Sequence, residues 1–243
     1  MPEARTKSPT LPLILAAVAA IALLVTLFDL PGSGDNGTGD EESAAAGSAK
    51  ESSQGDSSDD PLAQLARRQP DDPMAKGDVD APVVLIAYSE FQCPFCGKFA
   101  RDTAPTLVKQ YVADGTLRIE WRDFPYLGPE STTAALAGRA AAAQGKFWEF
   151  HDAMYADQLP PNSGRLNEAY VESVAEEIGL DVEQFRTDMA TDATRELVAA
   201  DFEEGQSIGI TGTPSFLING TPVVGAQPTE VFEQVIEEAA AAS

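Results

Sequence analysis

Apolar residues fall along this chain in three unlike patterns. Residues 11–28 are apolar without a single charge. At ~1.5 Å per residue a helix of that length reaches about 27 Å, enough to cross a bilayer core. Residues 83–88 (VVLIAY) form a short β-branched run that fits a fully buried strand, and residues 117–124 (LRIEWRDF) alternate as a second one. Between them, from Pro94 to about Ala113, the spacing is helical. Pro94 suits a first helical turn, where a missing N–H is no loss. Pro105 predicts a kink or a split, and Gly115 marks the end. A strand, a helix and a strand joined by short turns make a right-handed crossover, so the two strands are predicted to be parallel.

From Ser131 to about Ile208 the pattern is helical throughout, with helices predicted at 131–143, 147–155, 168–178 and 192–204. Asp181 with Gln184 reads as a capping box for one more. The spacing then changes to period two. Residues 215–218 and 221–224 flank Asn219-Gly220, the pair that a type I′ hairpin turn requires. Pro228-Thr229-Glu230 opens a final amphipathic helix to about Ala240. The order is β-α-β, a block of helices, then β-β-α, an α/β class.

Charge refines this picture. The 243 residues carry 39 acids against 16 bases, a formal net charge of −23. That balance counts against nucleic-acid binding, which needs basic patches, and against docking of the folded part on anionic lipid. Arg5 and Lys7 precede the apolar stretch, and acids dominate after it. Positive-inside logic therefore places residues 1–10 in the cytoplasm and everything after the span outside. Asp29-Leu30-Pro31-Gly32-Ser33 is a poor cleavage site, so an uncleaved anchor at 11–28 is favoured over a signal peptide. Residues 29–70 are assigned to an acidic linker, too poor in apolar side chains to offset the entropy of ordering. The globular part is expected from near Pro61, with residues 71–243 as its domain. The protein is thus expected at the cell membrane as a single-pass form with an extracytoplasmic domain.

Two cysteines and one histidine make neither a disulfide scaffold nor a tetrahedral zinc site. The two sulfurs sit three residues apart, at Cys93 and Cys96, where the helix is predicted to begin. One turn of helix separates them, close enough for a disulfide after small adjustment. The unpaired N–H groups and dipole of a helix start favour a thiolate at Cys93. Cys96, one turn in, is expected to be less exposed. Cys93 is then the attacking thiolate and Cys96 the resolving thiol of a thiol–disulfide exchange. The other readings are a structural disulfide or half of a metal site. A bridge closing so small a loop stabilises little, which favours the redox reading.

Residues 91–96 (FQCPFC), 122–125 (RDFP), 147–152 (FWEFHD) and 209–216 (GITGTPSF) together resemble the DsbA-like thiol:disulfide oxidoreductases of the thioredoxin superfamily. The resemblance runs from about Val79 to Ala240. It implies a thioredoxin fold with an all-helical domain inserted between its two halves, at about 128–209. It also implies a cis peptide bond at Thr213-Pro214 facing the cysteine pair, with the Thr213 backbone free to pair with an extended substrate. Its strongly oxidising members carry a histidine where this chain has Phe95. Pro94 and Phe95 are therefore expected to tune a Cys93 pKa that is lowered, though less than in the extreme case.

Glu90 lies three residues before Cys93 and would raise its pKa if close. The expectation weighs a proton relay to Cys96 against a solvated loop acid, and inclines to the acid. Lys98 and Arg101 either offset it or face water. His151, Phe147, Trp148 and Phe150 read as packing positions, and exposed members of Phe91, Phe95 and Phe99 as an apolar peptide-binding rim.

The resemblance implies donation of the Cys93–Cys96 disulfide to unfolded, cysteine-containing exported polypeptides. Reoxidation would come from a membrane quinone-linked oxidase of the DsbB or VKOR kind, with no metal or organic cofactor. Two alternatives stay open: a reductase or isomerase of the same fold, for example in cytochrome c maturation, and a redox-silent chaperone-like peptide-binding module.

Overall fold

A two-residue strand that the sequence pattern does not announce, β1 (Ala75–Lys76), edges the sheet. The computed structural model describes residues 60–243. The expected anchor at 11–28 and linker residues 29–59 therefore lie outside the described residues. β2 (Val83–Ser89) and β3 (Leu117–Asp123) pair in parallel, as the crossover predicts, with Val83 opposite Leu117 and Ser89 opposite Asp123. Between them run α1 (Pro94–Lys98) and α2 (Ala104–Leu107). A π-helical turn, Phe99–Thr103, joins the two, and a second, Val108–Val112, follows.

Pro105 therefore does not split the helix. The Ala104 N–H reaches back to the Phe99 carbonyl, and this wider turn absorbs the register lost where proline has no donor.

The helical block follows as α3 (Pro129–Ala143), α4 (Phe147–Ala156), α5 (Glu168–Glu177), α6 (Val182–Met189) and α7 (Asp192–Ser207). It stands where the inserted domain is expected. The capping box at α6 forms by half. Asp181 accepts from the Gln184 amide, but the Gln184 side chain turns forward to Asp188, and the Asp181 amide is taken by Gln144.

The chain then returns to the sheet as β4 (Ser215–Ile218) and β5 (Thr221–Val224), before α8 (Thr229–Ala241) closes it. Asn219 and Gly220 both have positive φ, 44° and 88°, as the hairpin requires. The Asn219 side chain also accepts from the Val84 amide and donates to the Pro82 carbonyl. The sheet order is β1-β3-β2-β4-β5, with β4 antiparallel to β2.

One face of the sheet packs on the helix crossing between β2 and β3 and on α8, around Leu85, Phe99, Phe216 and Phe232. The other lies under α7 and the segment that begins at Asp60, around Val84, Ile86, Tyr88 and Phe124. A third apolar cluster fills the helical block and reaches Phe91, Cys93, Cys96 and Trp121. The alternation along β3 divides these faces, yet all seven of its residues are buried.

The polar side of β3 is buried by ion pairing. Glu120 accepts from the Arg67 and Arg68 amides and from the Arg118 and Arg122 side chains. Arg122, fully buried, also pairs with Glu204 at 3.0 Å. Residues 60–69, the last part of the expected linker, are thus held to the sheet, and the folded part begins before residue 71. No helix among the described residues is long and apolar enough to cross a membrane.

Candidate active site

β2 ends at Ser89, and four residues later Cys93 stands as the N-cap of α1, with φ −69° and ψ 118°. Pro94 occupies the first turn and Cys96 lies one turn in, both as expected. The two cysteines are free thiols in this structure, and both are buried, Cys93 at 5% and Cys96 at 1% exposure. The Thr213-Pro214 peptide is cis. The thiol of Cys93 donates to the Thr213 carbonyl at 3.2 Å. The structure therefore unites both halves that the sequence nominates, although 120 positions separate them.

The electrostatics divide the two sulfurs. A hydrogen bond from the Cys96 thiol, opposed by burial, pulls the Cys93 pKa down to about 6, aided by the Thr213 side chain and by the Cys96 and Phe95 amides. Burial, reinforced by its charged partner, pushes Cys96 well above the thiol range. One sulfur is thus poised to ionise near neutrality while the other holds its proton.

Phe95 is 62% exposed, whereas Phe91 and Phe99 are buried in the core. Of the three aromatic residues considered for a rim, only Phe95 is available. It contributes no charge, as its residue type implies, and acts on Cys93 through its amide.

Glu90 is not a solvated loop acid. It is 2% exposed, because its loop tucks beneath α3 of the helical block. Ser131 of that helix donates to its carboxylate, and so does the Gln92 amide, at 3.3 Å. The other oxygen, Oε1, has no hydrogen-bond partner. Burial raises the Glu90 pKa to about 7, against the Ser131 hydroxyl. Neither expected counter-charge is present. Lys98 pairs with Asp102, and Arg101 donates to the Tyr155 carbonyl.

Several positioning residues carry no local sequence signal. Gln158, just past α4, donates to the Phe91 and Cys93 carbonyls, both at 2.9 Å, and so holds the turn bearing Cys93. Tyr155 donates to the Glu90 carbonyl at 2.9 Å. Gln92 donates to Ser131 and accepts from the Asn162 amide. These contacts fix the cysteine loop to the helical block. His151 is buried, its Nδ1 2.7 Å from Asp152 and its ring among Trp121, Trp148 and Tyr155. Burial lowers its pKa, in keeping with a packing position. A groove of about 410 Å³ runs beside Thr213-Pro214, walled by Ile208, Ile210, Phe216 and Val224. Val224 is 69% exposed.

A family model described as thioredoxin matches residues 69–238. The chain is 32% identical over 148 residues to a probable disulfide bond formation protein D of Bacillus cereus, covering 59% of this chain and 68% of that one. It is also 32% identical over 173 residues to a Na(+)/H(+) antiporter NhaA 1 of Salinispora arenicola, covering 70% of this chain. There it spans only 25% of the antiporter's length. Among solved structures, Wolbachia pipientis alpha-DsbA1 superimposes with a TM-score of 0.64 at 22% identity, covering 74% of this chain and 96% of that one. The dithiol at a helix start, the cis-proline loop opposite it and these likenesses agree: the chain belongs to the thioredoxin family and carries the DsbA-like form of its fold, with the helical insertion.

Proposed function

We propose that this chain is a membrane-tethered, extracytoplasmic thiol:disulfide oxidoreductase that donates the Cys93–Cys96 disulfide to unfolded, cysteine-containing exported polypeptides. The observation that carries this reading is the acidified Cys93 thiol facing the Thr213 carbonyl across the cis peptide, beside a buried Cys96.

The chemistry follows from the difference between the sulfurs. A client thiolate attacks Cys93 Sγ in the disulfide, and the Cys96 sulfur leaves and takes up a proton. Glu90, poised near neutrality behind the loop, supplies it. A second client thiolate then attacks the client sulfur of the mixed disulfide, forming the client's disulfide and expelling Cys93 as a thiolate. Two electrons pass from the client dithiol to the pair. A sulfur with a pKa of about 6 leaves readily. Its stabilised thiolate also favours the reduced pair, which makes the disulfide an oxidant.

The client segment lies extended along the Thr213-Pro214 loop, by single-residue β-augmentation, with Phe95 and the Val224 groove receiving its apolar side chains. Residues 11–28 anchor the domain and the acidic linker gives it reach. A quinone-linked membrane oxidase of the DsbB or VKOR kind restores the disulfide.

Reoxidation of reduced ribonuclease by the oxidised chain tests the proposal. Wild type accelerates it and Cys93→Ser does not. Equilibration of the pair with glutathione fixes the direction. A potential near the roughly −270 mV of thioredoxin would make the chain a reductase instead. Client binding that survives Cys93→Ser with no turnover in wild type would leave a peptide-binding module.

A further inference from the structure

Behind the cysteine pair lies a cavity of about 340 Å³ that reaches Cys96 from the side away from the Thr213-Pro214 loop. Its floor is buried and mostly apolar or aromatic, with Cys96, Phe99, Trp121, His151 and Tyr155. Small side chains leave the space open: Ala87 on β2, and Ala100 and Ala104 on the helix. The π-helical turn Phe99–Thr103 lies in this wall, and such widened turns concentrate at functional sites. The rim is charged. Lys76 stands there, its Nζ 4.3 Å from the centre of the Trp148 ring, and exposed Lys109 stands with it.

These two lysines are unlike the others among the described residues. Lys98 pairs with Asp102, and Lys146 donates to the Ile178 and Gly179 carbonyls. Lys76 and Lys109 make no ion pair within the described residues. The one acid at the rim, Asp152, is already bonded to His151. In a chain of net charge −23, two cations at the mouth of an aromatic cavity, one resting on Trp148 and near Asp152, are a specific complement. Aromatic walls accept a flat apolar body, and the rim accepts a single negative charge.

We propose that this cavity is a binding site for a small aromatic monoanion, a carboxylate or sulfonate, whose ring inserts toward Trp121 and Cys96 while its charge meets Lys76 and Lys109. The site stands apart from the Thr213-Pro214 loop and from the client groove.

The chain's two tryptophans, Trp121 and Trp148, both line the cavity, so they report on its occupant. Anilinonaphthalene sulfonate titrated into the full reduced chain should give saturable, one-to-one emission sensitised by tryptophan. Its uncharged analogue phenylnaphthylamine should bind about tenfold more weakly or worse. Ala104→Leu fills the cavity and should abolish the sensitised signal while ribonuclease reoxidation continues. The pair Lys76→Glu, half-buried at the rim, and Lys109→Glu, exposed, should weaken the probe at least tenfold with the circular dichroism spectrum unchanged. If the wild type gives no saturable signal, or if the signal survives in folded Ala104→Leu, the proposal fails. Should Ala104→Leu not fold, an unchanged affinity in the double lysine variant overturns it equally.

Discussion

Gln158 Oε1 occupies the place that a Cβ on Gly97 would take. The amide nitrogen of the same side chain holds the Phe91 and Cys93 carbonyls. A glycine one residue past Cys96 is therefore the space in which a distant glutamine braces the reactive turn.

Replacing Gln158 by Ala removes two hydrogen bonds, each worth about 1 kcal/mol. The melting temperature should fall by a few degrees, and the ribonuclease reoxidation rate should drop several-fold. Gly97→Ala should mimic it by displacing the Gln158 head. In the Gln158→Ala background the same glycine change should cost much less. Equal costs in both backgrounds would separate the two residues.

The Cys93 thiolate makes stability depend on redox state and pH. Its folded pKa, about 6, lies below the ordinary 9.0. Because the folded value is lowered, the stabilisation is complete above the unfolded pKa and is lost as pH falls through the folded one. Denaturation of the reduced chain should therefore show stability rising between pH 6 and 9 relative to Cys93→Ser. Absorbance at 240 nm should report one thiolate forming near pH 6 and no second one in that range.

Glu90 works in the opposite sense. Burial raises its pKa from 4.5 to about 7, so the folded chain favours the protonated acid, and stability declines as pH rises through that interval. Glu90→Gln keeps an acceptor for Ser131 and removes the titration. The variant should gain on wild type between pH 4.5 and 7 and hold a constant advantage above. It should also lower the Cys93 pKa, since the carboxylate charge opposes the thiolate. A parallel pair of pH–stability curves would show that this acid titrates at the same pH in the folded and the unfolded chain.

Glu120 is the hub for four arginines, two through their backbones and two through their side chains. Glu120→Ala leaves Arg122 buried without that partner, a change that costs about 3–5 kcal/mol in comparable pairs. It also releases the segment containing Arg67 and Arg68. Trypsin should then cut there well before the rest of the domain unfolds, whereas the wild-type segment should resist.

Local chemistry was readable wherever it depends on near neighbours. The Cys93–Cys96 spacing, Pro94 at a helix start and the Asn219-Gly220 turn each carry their reason within four residues. The cis bond at Thr213-Pro214 came from resemblance, since a Gly-Thr-Pro triplet by itself is compatible with either isomer. Burial of Glu90 was hidden because the helix that covers it starts some forty residues later. Gln158 gave no signal, being one polar residue in a proline-rich loop whose partners lie 65 and 67 positions away. Strand β1 was too short to show a period. The alternation on β3 marked two faces correctly, but only tertiary ion pairing shows that its polar face is also inside.

The pairing of β2 with β4 sets a condition on when this molecule becomes competent. Tyr88 lies opposite Ser215, so the thiol half leaves the ribosome first and its carbonyl partner follows 120 positions later. The dithiol is therefore made well before the loop that faces it. Until the β4–β5 hairpin has docked, Cys93 lacks its contact with Thr213, and its full reactivity waits on that long-range pairing.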